Sequence, residues 1–231
     1  MNDNQNIYID LLKKSVYDKI SILINDLTVD FIVKTDLVYS HIDDKASASF
    51  QDYYFRTLDN EELLLSRSDF FRQFRTMYAL QGIDHKYLDQ LEANKRDILM
   101  QIRADNLAQL YFDVFNKAKI KHGDSFVEKD LGSFFAKLVH TFRPKEYCAL
   151  DNPIKNYFGL KKESFYISFF IISSEYKHWA TDNKMLMQKI KDKFRSADLN
   201  QIINHDQLTD LKLLDLIFWS KAKRIEKKAV M

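Results

Sequence analysis

Residues 163–180 read Glu163-Ser164-Phe165-Tyr166-Ile167-Ser168-Phe169-Phe170-Ile171-Ile172-Ser173-Ser174-Glu175-Tyr176-Lys177-His178-Trp179-Ala180. The run is apolar on nearly every side, with Phe165, Tyr166, Ile167, Phe169, Phe170, Ile171 and Ile172 packed closely together. A helix that is apolar all round belongs in the middle of a core. A buried strand over 165–172 is the competing reading, since a short apolar run does not separate the two. Whole-chain composition favours the helix. The 231 residues include only four glycines and two prolines, too few for the turns that an antiparallel sheet or barrel needs about every ten residues. The expectation is an all-α fold, a compact multi-helix domain spanning residues 1–231.

The flanking segments agree. Downstream, 183–195 is a basic amphipathic helix carrying Lys184, Lys189, Lys191, Lys193 and Arg195. Asp206 is the expected cap of a last helix whose apolar face is Leu208, Leu211, Leu214, Ile217 and Phe218 and whose end is cationic, from Lys221 to Lys228. Upstream, Ile7, Leu11, Leu12, Val16, Ile20, Leu23 and Ile24 mark a first helix over 7–25. A second is expected over 28–42, although its β-branched run makes it the best local strand candidate. Residues 43–49 read as a loop. Asp59, with Glu62 three residues on, predicts a capped helix to Leu80 that stops at Gly82. Asp84 opens the next, through Leu88, Leu91, Ile98 and Ile102, and a further helical stretch runs from Leu107 to Ile120, the two forming either one long helix or a pair broken near Asp105-Asn106 and ending in Lys117, Lys119, Lys121 and His122 before Gly123.

Several chemistries find no support. One cysteine, Cys148, forms no intrachain disulfide and no multi-cysteine metal or iron–sulfur site. The six histidines are scattered, so no metal and no cofactor are expected. There is no Gly-rich phosphate loop and no nucleophile elbow. No apolar run reaches the roughly 18 residues of a membrane span, and the polar N-terminus lacks the regions of a signal peptide. The expectation is a cytoplasmic monomer with no membrane partner. Charge is uneven: residues 1–115 carry 13 Lys+Arg against 19 Asp+Glu, and residues 116–231 carry 22 against 14. That asymmetry is compatible with a basic face for a polyanion and with acidic (1–115) and basic (116–231) lobes around a cleft. It is equally compatible with two differently charged solvated surfaces.

Residues 130–160 concentrate the rare residue types: both prolines (Pro144, Pro153), the cysteine, and Gly132 and Gly159. Gly132 precedes a helix of about ten residues from Ser133 to Phe142. A glycine there permits close backbone approach, and a helix N-terminus offers N–H groups to phosphate. Lys137 is placed outward, and Arg143-Pro144-Lys145 forms a cationic elbow. Asp151-Asn152-Pro153 then starts a short helix closed by Gly159. The helix N-terminus favours and orients negative charge at Asp151. Facing a cleft, such a carboxylate could activate water or stabilise developing positive charge; otherwise it is a helix cap.

The order of these parts resembles the helix-hairpin-helix DNA glycosylase superfamily. The likeness is carried by Leu131-Gly132 as the remnant of the hairpin, the following helix, and Ala149-Leu150-Asp151-Asn152-Pro153-Ile154-Lys155 with Gly159-Leu160. It covers about 30 residues. The full Leu-Pro-Gly-x-Gly hairpin is missing, and the lyase lysine position falls on or near Ser133, with Lys137 a turn further on. The resemblance therefore implies a monofunctional enzyme that extrudes a damaged or modified base and hydrolyses its glycosidic bond, leaving an abasic site. Asp151 would be the catalytic carboxylate. Gly132, Ser133, Lys137, Arg143, Lys145 and Lys155 would contact DNA, and Tyr53, Tyr54 and Tyr147 would furnish the base pocket. A divergent hairpin fits a member acting on an unusual modified base, as in defence against foreign DNA. The rival readings are a non-enzymatic helical module that binds nucleic acid through 117–145 and 184–195, and a protein-interaction module. For Tyr54 and Phe55 in the Gln51–Thr57 patch, plain core burial competes with a stacking role.

Overall fold

The computed structural model describes residues 3–42, 45–122 and 125–230, with side chains for 5–42, 47–120 and 125–225. In chain order the elements are α1 (Asp3–Leu23), α2 (Val29–Phe31), a π-helical stretch (Ile32–Val38), α3 (Tyr39–His41), α4 (Lys45–Thr57), α5 (Glu61–Ser66), α6 (Phe70–Met77), α7 (His85–Ala93), α8 (Lys95–Arg103), α9 (Leu107–Leu110), a second π-helical stretch (Tyr111–Phe115), β1 (Ala118–His122), β2 (Ser125–Lys129), α10 (Gly132–Phe142), α11 (Asn152–Tyr157), α12 (Phe165–Asp182), α13 (Lys184–Ala197) and α14 (Asp210–Val230). Among the described residues the fold is all-α apart from one antiparallel pair of strands. Among the described residues no helix is long and apolar enough to cross a membrane.

The run at 163–180 is helical. Ser164 accepts a hydrogen bond from Ile167 N at 3.2 Å, which caps α12. Phe165, Phe169, Ile172, Tyr176 and Trp179 are buried along it at helical spacing. A strand over 165–172 alone would strand Tyr176 and Trp179 outside that pattern. Helix α1 lies along α12, and α10 and α14 pack on other sides of it. Trp179 Nε1 donates to Ser21 Oγ at 3.0 Å, tying α12 to α1. Burying side chains of this size contributes about 1.5–3 kcal/mol each.

The acidic and basic halves interlock. Lys189 pairs with Asp26 at 2.6 Å, Lys193 with Asp30, and Arg143 with Asp105. Part of the second half's positive charge is thus spent on the first half's carboxylates.

Boundaries differ from the sequence reading in five places. The 28–42 segment is helical, but through a π-helical middle. The helix expected from Asp59 breaks into α5 and α6 at Arg67–Asp69. Its cap is Asn60, which accepts from Leu63 N at 2.9 Å, while Asp59 has a φ of 52°. The helix expected to reach Ile120 stops at Phe115. Lys117 takes a φ of 56°, and the chain becomes strand β1 with Ala118 and Ile120 buried at a period of two. The last helix begins at Asp210 rather than near Asp206, with Thr209 Oγ1 accepting from Lys212 N. Residues 45–49, expected as loop, belong to α4. Residues 43 and 44, Gly123, and the side chains of Lys121, His122, Lys227 and Lys228 lie outside the described set.

Candidate functional site

Between α10 and α11 the chain runs as a strap, Tyr147 to Leu150, with no regular structure and three of its four residues buried. A buried segment with no partner strand must satisfy its backbone groups with side chains. Three helices supply them. From α10, His140 Nδ1 lies 2.7 Å from Tyr147 O. From α12, Ser173 Oγ accepts from Cys148 N at 3.0 Å and donates to Cys148 Sγ at 3.2 Å. From α14, Asp215 Oδ2 accepts from Ala149 N at 2.6 Å. The strap ends at Asp151, whose Oδ1 accepts from Ile154 N at 3.1 Å and caps α11. Asp151 is half-buried and the next residue, Asn152, is exposed. The carboxylate therefore stands at the surface end of a tightly held segment.

The bond pattern fixes the state of His140. Tyr147 O only accepts, so Nδ1 carries the proton and Nε2 accepts from the Tyr54 hydroxyl at 2.8 Å. Burial, and then the charge of Lys212, drive the His140 pKa down to about 3, against the opposing bond to Tyr147. His140 is a neutral structural bridge with both nitrogens used. Cys148 is fully buried, and burial pushes its thiol well above the ordinary range, so it is not a nucleophile.

Beneath the strap lie three further charged groups. Lys212 is buried, with its ammonium 4.1 Å from the Tyr54 ring centroid and 5.5 Å from that of Phe50. Asp215, one helical turn on, is buried, and its Oδ1 has no hydrogen-bond partner among the described residues. Burial raises the Asp215 carboxyl well above the usual aspartate range, with Lys212 opposing, and the same burial lowers Lys212, with Asp215 opposing. Lys137 donates to Ser133 Oγ at 2.6 Å; burial lowers its ammonium, and Asp151 and then Asp215 support the charge. Asp151, Lys137, Lys212 and Asp215 thus form one electrostatic group.

The other residues singled out in the sequence have different surroundings. Gly132 does not present its backbone to a phosphate: it is buried, and its N–H donates to Asp130 Oδ1 at 2.8 Å. A Cβ there would stand 2.3 Å from Phe165 Cγ, so glycine is required by the α10–α12 contact. Gly132→Ala is expected to cost about 1–3 kcal/mol by overpacking. In a Phe165→Ala background the same change should cost much less, a non-additivity readable by urea denaturation. Arg143 is paired with Asp105 and lies over the Tyr147 ring. Lys155 is buried with its ammonium on Glu163 O, which satisfies the α11–α12 link rather than facing outward. Tyr53 and Tyr54 are core residues, Tyr54 being held by His140. Tyr147 stacks on Phe169 at 5.2 Å and donates to Asp105.

Lys145 remains exposed and makes no ion pair or side-chain hydrogen bond among the described residues. With Pro144, Lys177 and Lys191 it lines a groove of about 630 Å³ that continues to the start of α14. A second cavity of about 820 Å³ lies between α4 and the 198–207 loop. Asp151 lines neither of them. Among the described residues no three His, Cys, Asp or Glu side chains are grouped so as to hold a metal ion.

Sequence reasoning missed Asp215, Lys212, His140 and Ser173. Asp215 did leave a signal: it follows Leu208 and Leu211 and precedes Phe218 on the apolar stripe of the last helix. A carboxylate on a stripe that faces the core needs a partner there. Compared with known proteins, the chain matches no family model, no curated protein and no solved structure.

Proposed function

We propose that this chain is a monofunctional DNA glycosylase acting as a monomer, with Asp151 as its catalytic carboxylate. The observation that carries the reading is the presentation of Asp151. A half-buried carboxylate ends a strap whose amide and carbonyl groups are bonded to three separate helices. Such a segment holds one side chain in a fixed position, which chemistry at a carboxylate requires. The resemblance of residues 131–160 to the helix-hairpin-helix glycosylases gives that carboxylate a task. As the C1′–N bond of an extruded nucleotide breaks, positive charge develops on the sugar, and Asp151 stabilises it. Water adds its oxygen to C1′ and gives a proton to the carboxylate. The base leaves with the bonding electrons and takes up a proton, and the product is an abasic site in an uncut strand.

Of the residues considered for DNA contact, Lys145 is the one whose surroundings suit the role, together with Lys177 across the groove. Lys137, Arg143 and Lys155 have internal partners. A second reading rests on the bond from Ile154 N: Asp151 as a cap and no more, in a module that binds nucleic acid without chemistry.

The test is incubation with single- and double-stranded DNAs bearing deaminated, alkylated, oxidised and phage-type modified bases, followed by alkali. Alkali-labile sites at one modified base are the expected result. Intact strands across the panel would overturn the enzyme reading, and salt-sensitive DNA retention without cleavage would favour the second. Lys145→Glu is expected to weaken DNA retention several-fold and to flatten its salt dependence by about one phosphate contact; filter binding across a salt series checks it.

A further inference from the structure

Asp215 stands on α14, 64 residues from Asp151 in sequence, yet it holds the strap that ends in Asp151. Its Oδ2 takes the Ala149 N–H at 2.6 Å, two residues before the carboxylate. The other strap anchors, His140 and Ser173, are neutral and fix Tyr147 and Cys148. The anchor nearest Asp151 is therefore a carboxyl group. Its second oxygen, Oδ1, is buried without a protein partner. Lys212, one turn before it on the same helix, leaves that oxygen without a hydrogen bond among the described residues; its ammonium lies instead over Tyr54. Burial disfavours the ionised form of a core carboxylate that has one oxygen unpaired. Asparagine or serine would bond Ala149 N–H without that cost, so hydrogen bonding to the strap alone does not account for a carboxylate.

We infer that Asp215 is the positioning residue of the Asp151 site: through the Ala149 amide it sets where the Asp151 carboxylate stands, and its own charge, balanced by Lys212 and Lys137, tunes that site with pH. This rests on the reading of Asp151 as catalytic. The groups that face Asp215 are Lys212 on its own helix, Lys137 from α10, Asp151 at the α11 cap, Cys148 in the strap, Tyr176 from α12, and Tyr54 and Tyr78 from α4 and the end of α6. Burial moves the tyrosines and the thiol upward, away from neutrality. It brings Asp215 and Lys212 towards it from opposite sides. When Asp215 takes a proton, the Ala149 N–H bond changes from charge-assisted to neutral and weakens.

The experiment follows the Ala149 amide by ¹⁵N NMR across neutral pH, and in parallel measures base release as a function of pH. In the wild type the amide should titrate above the ordinary aspartate range, with an inflection in kcat at the same pH and KM unchanged. Asp215→Asn, which keeps an acceptor, should abolish both inflections while the amide stays protected from hydrogen exchange. Lys212→Met should move the midpoint to higher pH, because it removes the cation that favours the carboxylate. Asp215→Leu should lower protection at Ala149 about ten- to a hundredfold. An Ala149 amide that does not titrate, or that titrates alike in Asp215→Asn, overturns the inference; so does a kcat inflection that survives in Asp215→Asn. The wild-type amide titration needs neither a substrate nor a variant that folds. If no DNA in the panel loses a base but the amide titrates as stated, the glycosylase reading fails alone, and Asp215 still positions Asp151.

Discussion

Asp151→Asn is expected to abolish base release, by about a thousandfold, while leaving the fold and its stability almost unchanged. Asparagine caps helices as well as aspartate does. Its side-chain oxygen can continue to accept from Ile154 N, the bond that Asp151 Oδ1 makes. What the change removes is the negative charge. A positioned general base contributes about 10²- to 10⁴-fold, and electrostatic stabilisation of developing charge has a similar magnitude. The cap that Asp151 forms and the catalytic role proposed for it are therefore separable by one atom. Asp151→Ala removes both and should cost about 1 kcal/mol of stability as well. Single-turnover base release and urea denaturation on the same preparations give the comparison. If Asp151→Asn released base at the wild-type rate, the residue would be only a cap.

The helical character of α12 could be read in advance, because composition denied the chain the turns of a sheet and because apolar spacing continued past Ile172 to Tyr176 and Trp179. The capping residues Asp84 and Asp151 each carry local chemistry that does not depend on the rest of the fold. The strand pair 118–122 and 125–129 was hidden for a physical reason. Lysines near a helix end are a normal sign of the C-terminus, and the left-handed backbone at Lys117 that redirects the chain is unusual for a non-glycine residue. Gly132 was misread for a similar reason. A glycine before a helix can serve a phosphate or a neighbouring helix, and only the position of Phe165, 33 residues on, distinguishes the two.

The candidate site was half legible. Asp151 sits in a short motif with a family resemblance, but the residues that hold it come from three helices far apart in sequence. No spacing rule connects His140, Ser173 and Asp215. The charge asymmetry was equally incomplete as a guide, since it counts residues and not their partners. Lys189, Lys193 and Arg143 meet carboxylates of the first half, and Lys155 meets a backbone carbonyl, so the basic half offers less free charge than its composition suggests. Lys145 and Lys177 remain as the outward cations beside the elbow.

Acid should destabilise this fold steeply through His140. The ring is buried, neutral and bonded on both nitrogens, with a pKa near 3 in the native state and 6.5 ordinarily. Between those values the unfolded chain binds a proton that the native chain excludes. The contribution is fully present above pH 6.5 and is lost as pH falls towards 3, at about 1.4 kcal/mol per pH unit. Stabilities of small domains are about 5–15 kcal/mol, so two such units consume a large share. His140→Asn can keep a donor to Tyr147 O while deleting the titrating group. It should cost about 2–4 kcal/mol near neutral pH, from the lost ring volume and the unpaired Tyr54 hydroxyl. Its stability should then fall less steeply with acid than that of the wild type, and the difference in slope isolates His140 from the carboxylates that titrate in both proteins. The ring itself reports independently. In ¹⁵N spectra it should show the proton on Nδ1 and no titration down to about pH 4. A His140 that titrates near its ordinary value would mean that the Tyr54–His140–Tyr147 bridge is not closed, and with it one of the three anchors of the Asp151 strap would be gone.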